Sequence, residues 1–304
     1  MMKKPLFVIA IMGWLLSGSG SWGYEEMTVA NGGTLQGHIA LKGDVPRPKG
    51  YNLVTFPDPY FCGRISDGDG WRLLQPFQVS AEGDFQNVVV FLKNVKQGKA
   101  FDYTPQRIDS IDCKFEPYIT IVRNKHMVEV VNLDPVMHDI QAYETSHLGA
   151  RVLFNVPLPM SKNLRKAHFK PGKEVKNRAG KIMRQKVNMR KGRNVFVMQC
   201  GFHAYMESWG IAVENPYFDK SDHVGRFHIT NIPAGTYDVV AWHPMLSQEF
   251  TVTINSGETT TSNIEFQAPT GRLYANEALK NTRFGTELLG QESHIVPWVE
   301  HQTY

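Results

Sequence analysis

Apolar residues occupy every second position in many short runs of this chain. Leu35, Gly37, Ile39 and Leu41 alternate with more polar neighbours, as do Ile119 and Ile121, then Trp209, Ile211 and Val213. The pattern returns at Phe227 and Ile229, at Tyr237, Val239 and Ala241, at Phe250, Val252 and Ile254, and at Ile264 and Phe266. A period of two belongs to a strand with one buried face. Residues 88–92, 128–133 and 195–198 are instead continuous apolar, Val-rich runs and predict buried strands. Turn residues punctuate the runs, as in sandwiches and barrels, so the fold class predicted is all-β. No stretch predicts a long amphipathic helix. Residues 277–280 predict the start of a short one, inside a tail from about 270 to 304 that lacks strand alternation.

The first residues stand apart from this pattern. MMKK is a short basic start, residues 5–16 are almost wholly apolar, and residues 17–23 are small and polar apart from Trp22. That is the layout of a secretory signal peptide over residues 1–23, with Ser21 and Gly23 suiting the positions before a cut. The apolar run falls short of the ~20 residues that a spanning helix needs. The mature protein is therefore expected in the periplasm or secreted, in an oxidising compartment and with no transmembrane segment.

Length and composition set few limits beyond this. The 304 residues suit one large or two ordinary domains, and 42% hydrophobic content provides a sizeable core. An exported chain with three cysteines has an odd one. Pairing Cys62 with Cys113 leaves Cys200 for another task. Charge is uneven as well. Residues 162–193 hold 13 Lys or Arg against the single Glu174, in a chain of formal net charge only +4. Such a block is either a solvated loop or a surface that steers an acidic partner. Nucleic acid is not expected as a partner outside the cytoplasm.

The chemistry concentrates in one loop. The run at 195–198 delivers Cys200, and His203 and Met206 follow at C-x2-H-x2-M spacing before the next alternating strand begins at Trp209. Thiolate, imidazole and thioether are soft ligands. A Cys with two His in a plane and a weak axial Met favours blue copper. The second imidazole is assigned to His138, directly after the apolar run 128–133, with His147 as the alternative. His126 and His168 read as loop or surface residues. Met198 lies inside the strand and reads as core. A zinc site would want a further Cys, His or carboxylate rather than Met. A thiol nucleophile would want an orienting Asn or Asp and an oxyanion site.

With these residues in view, the segment from about Cys113 to Glu214 resembles a cupredoxin, and its ligand loop resembles that of amicyanin. The supporting pieces run in order: Ile119-Thr-Ile-Val, Met127-Val-Glu-Val-Val-Asn-Leu-Asp, Met137-His138-Asp139, Leu153-Phe154-Asn155, Phe169-Lys-Pro171-Gly172 and the Cys200 loop. The resemblance implies a Greek-key sandwich holding one type 1 copper on His138, Cys200, His203 and Met206. It also implies that His203 is the more exposed imidazole and the electron port, with Phe202 and Tyr205 in a docking patch around it. Three departures stand out: residues 173–193 are interposed before the Cys strand, Asp139 replaces the frequent Asn that braces the loop, and no Pro precedes His203.

Residues 222–239, with Phe227, Ile229, the Pro233–Gly235 turn, Tyr237 and Val239, are similar to a carboxypeptidase regulatory-like (transthyretin-like) β-sandwich. Strands suited to open such a domain, near 37–43 and 87–92, lie more than a hundred residues earlier. An insertion accounts for this: residues 30–98 with 216–268 form the transthyretin-like sandwich, residues 105–215 with the basic segment 162–193 form the inserted cupredoxin, and residues 269–304 are a tail. Two consecutive modules are the other arrangement. His243, before Pro244, reads as a loop residue outside any site.

The function expected is a non-enzymatic exported carrier of single electrons. Its partner would be a redox protein such as a c-type cytochrome or a periplasmic oxidoreductase, docking on the basic segment. The alternatives are copper binding or delivery without electron transfer, and a non-catalytic binding module. Copper oxidases and nitrite reductases need further histidine clusters, and the sequence contains no His-x-His.

Overall fold

A computed structural model of the chain describes residues 23–67, 70–145, 149–162, 179–274, 278–281 and 285–288. The leader (residues 1–22), His147, His168, Pro171, Gly172 and residues 163–178 of the basic segment lie outside these. Among the described residues the chain is all-β, and no helix is long and apolar enough to cross a membrane.

Two pairs of sheets enclose two apolar cores. In the first, a five-stranded sheet runs in the order Arg151–Leu158, His138–Glu144, Val195–Gln199, Glu207–Val213, Ile119–Arg123. Its last pair is parallel and the others are antiparallel. It faces a four-stranded sheet ordered Met183–Lys186, Met127–Asn132, Gln106–Ile111, Lys114–Glu116. Ile108, Val128, Val130, Ile140, Ala142, Phe196 and Met198 fill the space between. Alternation puts Phe196 and Met198 inward and leaves Val195, Val197 and Gln199 half-buried on the other face.

The second pair draws on both ends of the described chain. Gly33–Lys42 pairs with Arg226–Ile232, Thr259–Thr261 and Ile264–Gln267. Val89–Leu92 pairs with Phe218–Lys220 and Gly235–His243, and Leu246–Ile254 completes that sheet. Residues on either side of the first core in sequence thus build one core, lined by Leu35, Ile39, Val90, Leu92, Phe227, Val239 and Ile254.

The unbroken apolar run of Val89–Leu92 now has a physical reason. Val90 and Leu92 face the second core, while Val89 and Phe91 pack with Ile119, Ile211, Val213, Val240 and Trp242 in a cluster between the two sandwiches. A strand covered on both faces has no solvent side and loses its alternation.

Three expectations are corrected. Residues 278–281 form a strand paired with 285–288 rather than starting a helix, because a short hairpin satisfies both backbones. The tail is therefore not extended throughout. His243 is no loop residue: it ends the strand Gly235–His243, buried between Phe77 and Phe85, with its Nε2 3.0 Å from the Pro76 carbonyl. Burial holds its pKa down at about 4. The hairpin of Lys49–Asn52 and Trp71–Leu74 carried no pattern strong enough to predict.

The described end of the basic segment is anchored by one buried carboxylate. Glu144, wholly inaccessible, accepts hydrogen bonds from Arg151 Nη2, from the Arg190 backbone N–H at 2.9 Å and from Arg193 Nη1 at 2.7 Å. These bonds, Arg151's first, outweigh desolvation and hold its pKa at about 2. Glu144→Gln should cost about 3 kcal/mol at pH 7, measured by urea unfolding, because it leaves the arginines without their charged partner. An unfolded Glu titrates at about 4.3. The stabilisation is therefore complete above that value and is lost as pH falls towards the folded pKa. The variant's stability should vary less than wild type across this acid window.

Candidate metal centre

The ligand loop is short and held at both ends. Gln199 and Glu207 are the last paired residues of two adjacent strands, and residues 200–206 close the gap. Inside the loop the Cys200 N–H donates to the Met206 carbonyl at 3.1 Å, and the Met206 N–H donates to the His203 carbonyl at 2.8 Å. The Gly201 N–H donates to Asp139 Oδ1 at 2.5 Å, so Asp139 braces the loop directly. A Cβ at Gly201 would collide with the side chains of Gln141 and Asp139.

Three of the four expected ligands have donor atoms in one pocket. His138 Nδ1 lies 3.1 Å from His203 Nδ1, and Cys200 Sγ lies 4.0 Å and 3.7 Å from those two nitrogens. Three donors spaced around one cation at bond lengths of about 2.0–2.3 Å would stand roughly 3.5–4 Å apart, close to this triangle. Met206 is fully buried in the same core as Cys200 and Tyr205. Met198 is buried there too, two residues back along the strand.

The outer nitrogens decide what the inner ones offer. His203 Nε2 lies 3.0 Å from the carbonyl oxygen of Pro57, which can only accept, so this nitrogen carries the hydrogen. His138 Nε2 lies 3.0 Å from Asp134 Oδ2. Asp134 also accepts the Asp112 and Cys113 backbone N–H groups at 2.8 Å and 2.9 Å, which fixes the carboxylate that faces His138. Burial first, and then the neighbouring His138, holds the His203 pKa below its ordinary value. The two Nδ1 atoms face each other at 3.1 Å, beside the Cys200 sulfur. Burial also pushes the Cys200 thiol up to about 12, so a soft metal would have to displace its proton. The residues present fit a copper ion of the expected kind.

A second grouping, Cys113 with Asp134 and His138, is not a rival site. Cys113 is bonded to Cys62, as the cysteine count led us to expect. The bridge backs the centre instead: Cys62 Sγ lies 3.8 Å from His203 Nε2.

Two expectations about access are overturned. His203 is fully buried, not the exposed imidazole, because Pro57, Asp58 and Cys62 close over it. Tyr205 is also buried, packed edge-on against Phe56 at 5.1 Å and Tyr51 at 6.1 Å between ring centroids. Phe202 alone of the expected docking pair reaches solvent. The capping segment and Asp134 were not anticipated from the sequence. The one available signal was the Cys62–Cys113 pairing, which places residue 62 near the metal sandwich.

Comparison with known proteins adds the following. Polysaccharide lyase family 4, domain II, matches residues 214–262, within the second sandwich, where a carboxypeptidase regulatory-like domain was expected. No curated protein matches the chain in sequence. Among solved structures, a Cu-containing nitrite reductase from Thermus scotoductus SA-01 is similar over 38% of this chain, at 17% identity and a TM-score of 0.25. The chain spans only 24% of that reductase. A purple cupredoxin from Nitrosopumilus maritimus is similar over 36% of this chain and 99% of its own, at 18% identity and a TM-score of 0.24. Amicyanin from Paracoccus versutus is similar over 41% and 97%, at 13% identity and a TM-score of 0.24.

The outer carboxylate offers a direct check. Asp134→Asn replaces an obligate acceptor with an amide that can also donate, so His138 is no longer held in one tautomer. Affinity for a soft metal should fall about 10–100-fold, measured by competition with a chelator, while circular dichroism stays that of wild type.

Proposed function

We infer that this chain is an exported type 1 copper protein that carries single electrons. The observation that supports this reading is the buried pocket in which the Nδ1 atoms of His138 and His203 converge on the Cys200 sulfur. Bound copper would supply a one-electron couple. His138, Cys200 and His203 would hold it, with the Met206 thioether as a further soft ligand. The chain's own part is to keep that geometry constant. Strands fix the loop at Gln199 and Glu207, Asp139 holds Gly201, and Asp134 and the Pro57 carbonyl hold the imidazoles. Little rearrangement on gain or loss of an electron means a small barrier.

Burial of these ligands favours a resident metal over one handed to a partner, since delivery requires an exposed ligand for the exchange. A binding module with no metal role would have no use for three buried ligand-type atoms gathered this closely. We assign the chain no catalytic residues. We assign it an export route through its leader, and a redox protein with an acidic face as the partner for the basic segment 162–193.

Adding Cu(II) to the metal-free protein should give an intense visible thiolate-to-copper band, and Cys200→Ser should lack it. Met206→Leu should keep the band and raise the reduction potential, because loss of the thioether removes donation that favours Cu(II). A wild-type protein that stays colourless, with no paramagnetic signal from bound copper, would sink the reading.

A further inference from the structure

With His203 sealed, an electron reaching the centre needs another entrance, and the fold supplies one behind Cys200. Alternation turns Cys200, Met198 and Ser208 inward and leaves Val197, Gln199, Glu207 and Trp209 half-buried on the opposite face of their sheet. That face floors a cavity of about 210 Å³. Its floor includes Gln199, the residue before Cys200, and Glu207, the residue after Met206. Tyr118, Trp209 and Tyr274 supply aromatic walls, and Met245 of the second sandwich closes one side.

The polar groups sit together. Trp209 Nε1–H donates to Glu207 Oε1 at 2.8 Å, which fixes the carboxylate. Lys49 Nζ stands 3.9 Å from Glu207 Oε2, an ion pair beyond hydrogen-bond reach. The same ammonium lies 5.9 Å from the centre of the Tyr274 ring. A small hydroxyl group between Lys49 and Glu207 would bridge them. One positive and one negative side chain favour an uncharged guest, and the volume and aromatic walls favour one planar ring.

We propose that this cavity binds a dihydroxylated aromatic reductant of the hydroquinone class, which passes electrons through Gln199 to the Cys200 thiolate. The proposal rests on the copper reading for its redox half and on the cavity alone for its binding half. Each hydroquinone gives up two electrons and two protons in two one-electron steps. The first electron reduces Cu(II) to Cu(I); the second follows once the redox partner has reoxidised that copper, or goes to the Cu(II) of another molecule; each proton passes to water, and the quinone leaves.

The test begins with the metal-free protein. Titration with 1,4-hydroquinone under argon, followed by calorimetry, should show one saturable site with a Kd of about 1 mM or tighter. Lys49→Met and Glu207→Gln should each weaken it at least fivefold, and Tyr274→Leu guards against a variant that misfolds. Absence of saturable binding overturns the site. Saturable binding of glucose without binding of hydroquinone also overturns it, in favour of a sugar. In the copper-loaded protein, bleaching of the visible band by hydroquinone should saturate near the same Kd and slow in the same variants. Bleaching by ferrocyanide should be indifferent to Lys49→Met. Bleaching that is unsaturable and unaffected by the variants overturns the electron route. Failure of the copper reading would show separately, as hydroquinone binding intact in a protein with no visible band.

Discussion

Both imidazoles of the centre are pinned from behind, and that constraint gives the pocket its character. The outer nitrogen of His138 faces Asp134, and that of His203 faces the Pro57 carbonyl. The inner nitrogens are thereby turned towards each other and towards a buried sulfur. Burial away from water makes each of these polar contacts matter, since a buried polar group without a partner costs free energy.

The disulfide joins the two supports into one unit. The Cys113 N–H donates to Asp134, which orients His138. The bonded Cys62 lies against the outer nitrogen of His203 and belongs to the capping segment that supplies Pro57. One bridge therefore supports the back of both histidines. Closing a loop of 51 residues also restricts the unfolded chain, by about 4 kcal/mol on the chain-entropy view. The cap is held where it keeps the centre dry, and dryness strengthens each electrostatic interaction within.

The cap reaches the centre because of how the chain crosses between its two cores. Residues 33–92 lend strands to the second sandwich, and between those strands lies the segment that folds over the first. Val89 and Phe91 on one side, and Ile211 and Val213 on the other, give the two sandwiches a shared apolar seam. The cavity behind Cys200 is a product of that seam: the first sandwich makes its floor, and Met245 and Pro76 come from the second.

Local pattern alone determined a good deal. Period-two alternation marked seven of the described strands, and the continuous run at Val89–Leu92 marked one packed on both faces, since a strand's burial is written in its own side chains. Cys200, His203 and Met206 were legible as a group because seven residues between two fixed strands cannot separate far. His138 was picked for its place just after an apolar run, whereas the structure makes it the first residue of the next strand, in the facing sheet. Tertiary structure decided the rest. A backbone carbonyl such as that of Pro57 has no side-chain signature, and its contact with His203 spans 146 positions. The burial of His203 and Tyr205 follows from a cap whose own sequence is rich in turns and poor in periodicity. Asp134 gains its meaning from two backbone N–H groups that another turn brings to it. His243 seemed to belong to a loop because it stands where a strand ends, and the structure makes it that strand's last residue. Its place in the core depends on Pro76 and two phenylalanines brought in from residues 76–85. Residue type and spacing name the donors, while what each donor's far side meets depends on chain segments that only folding brings near.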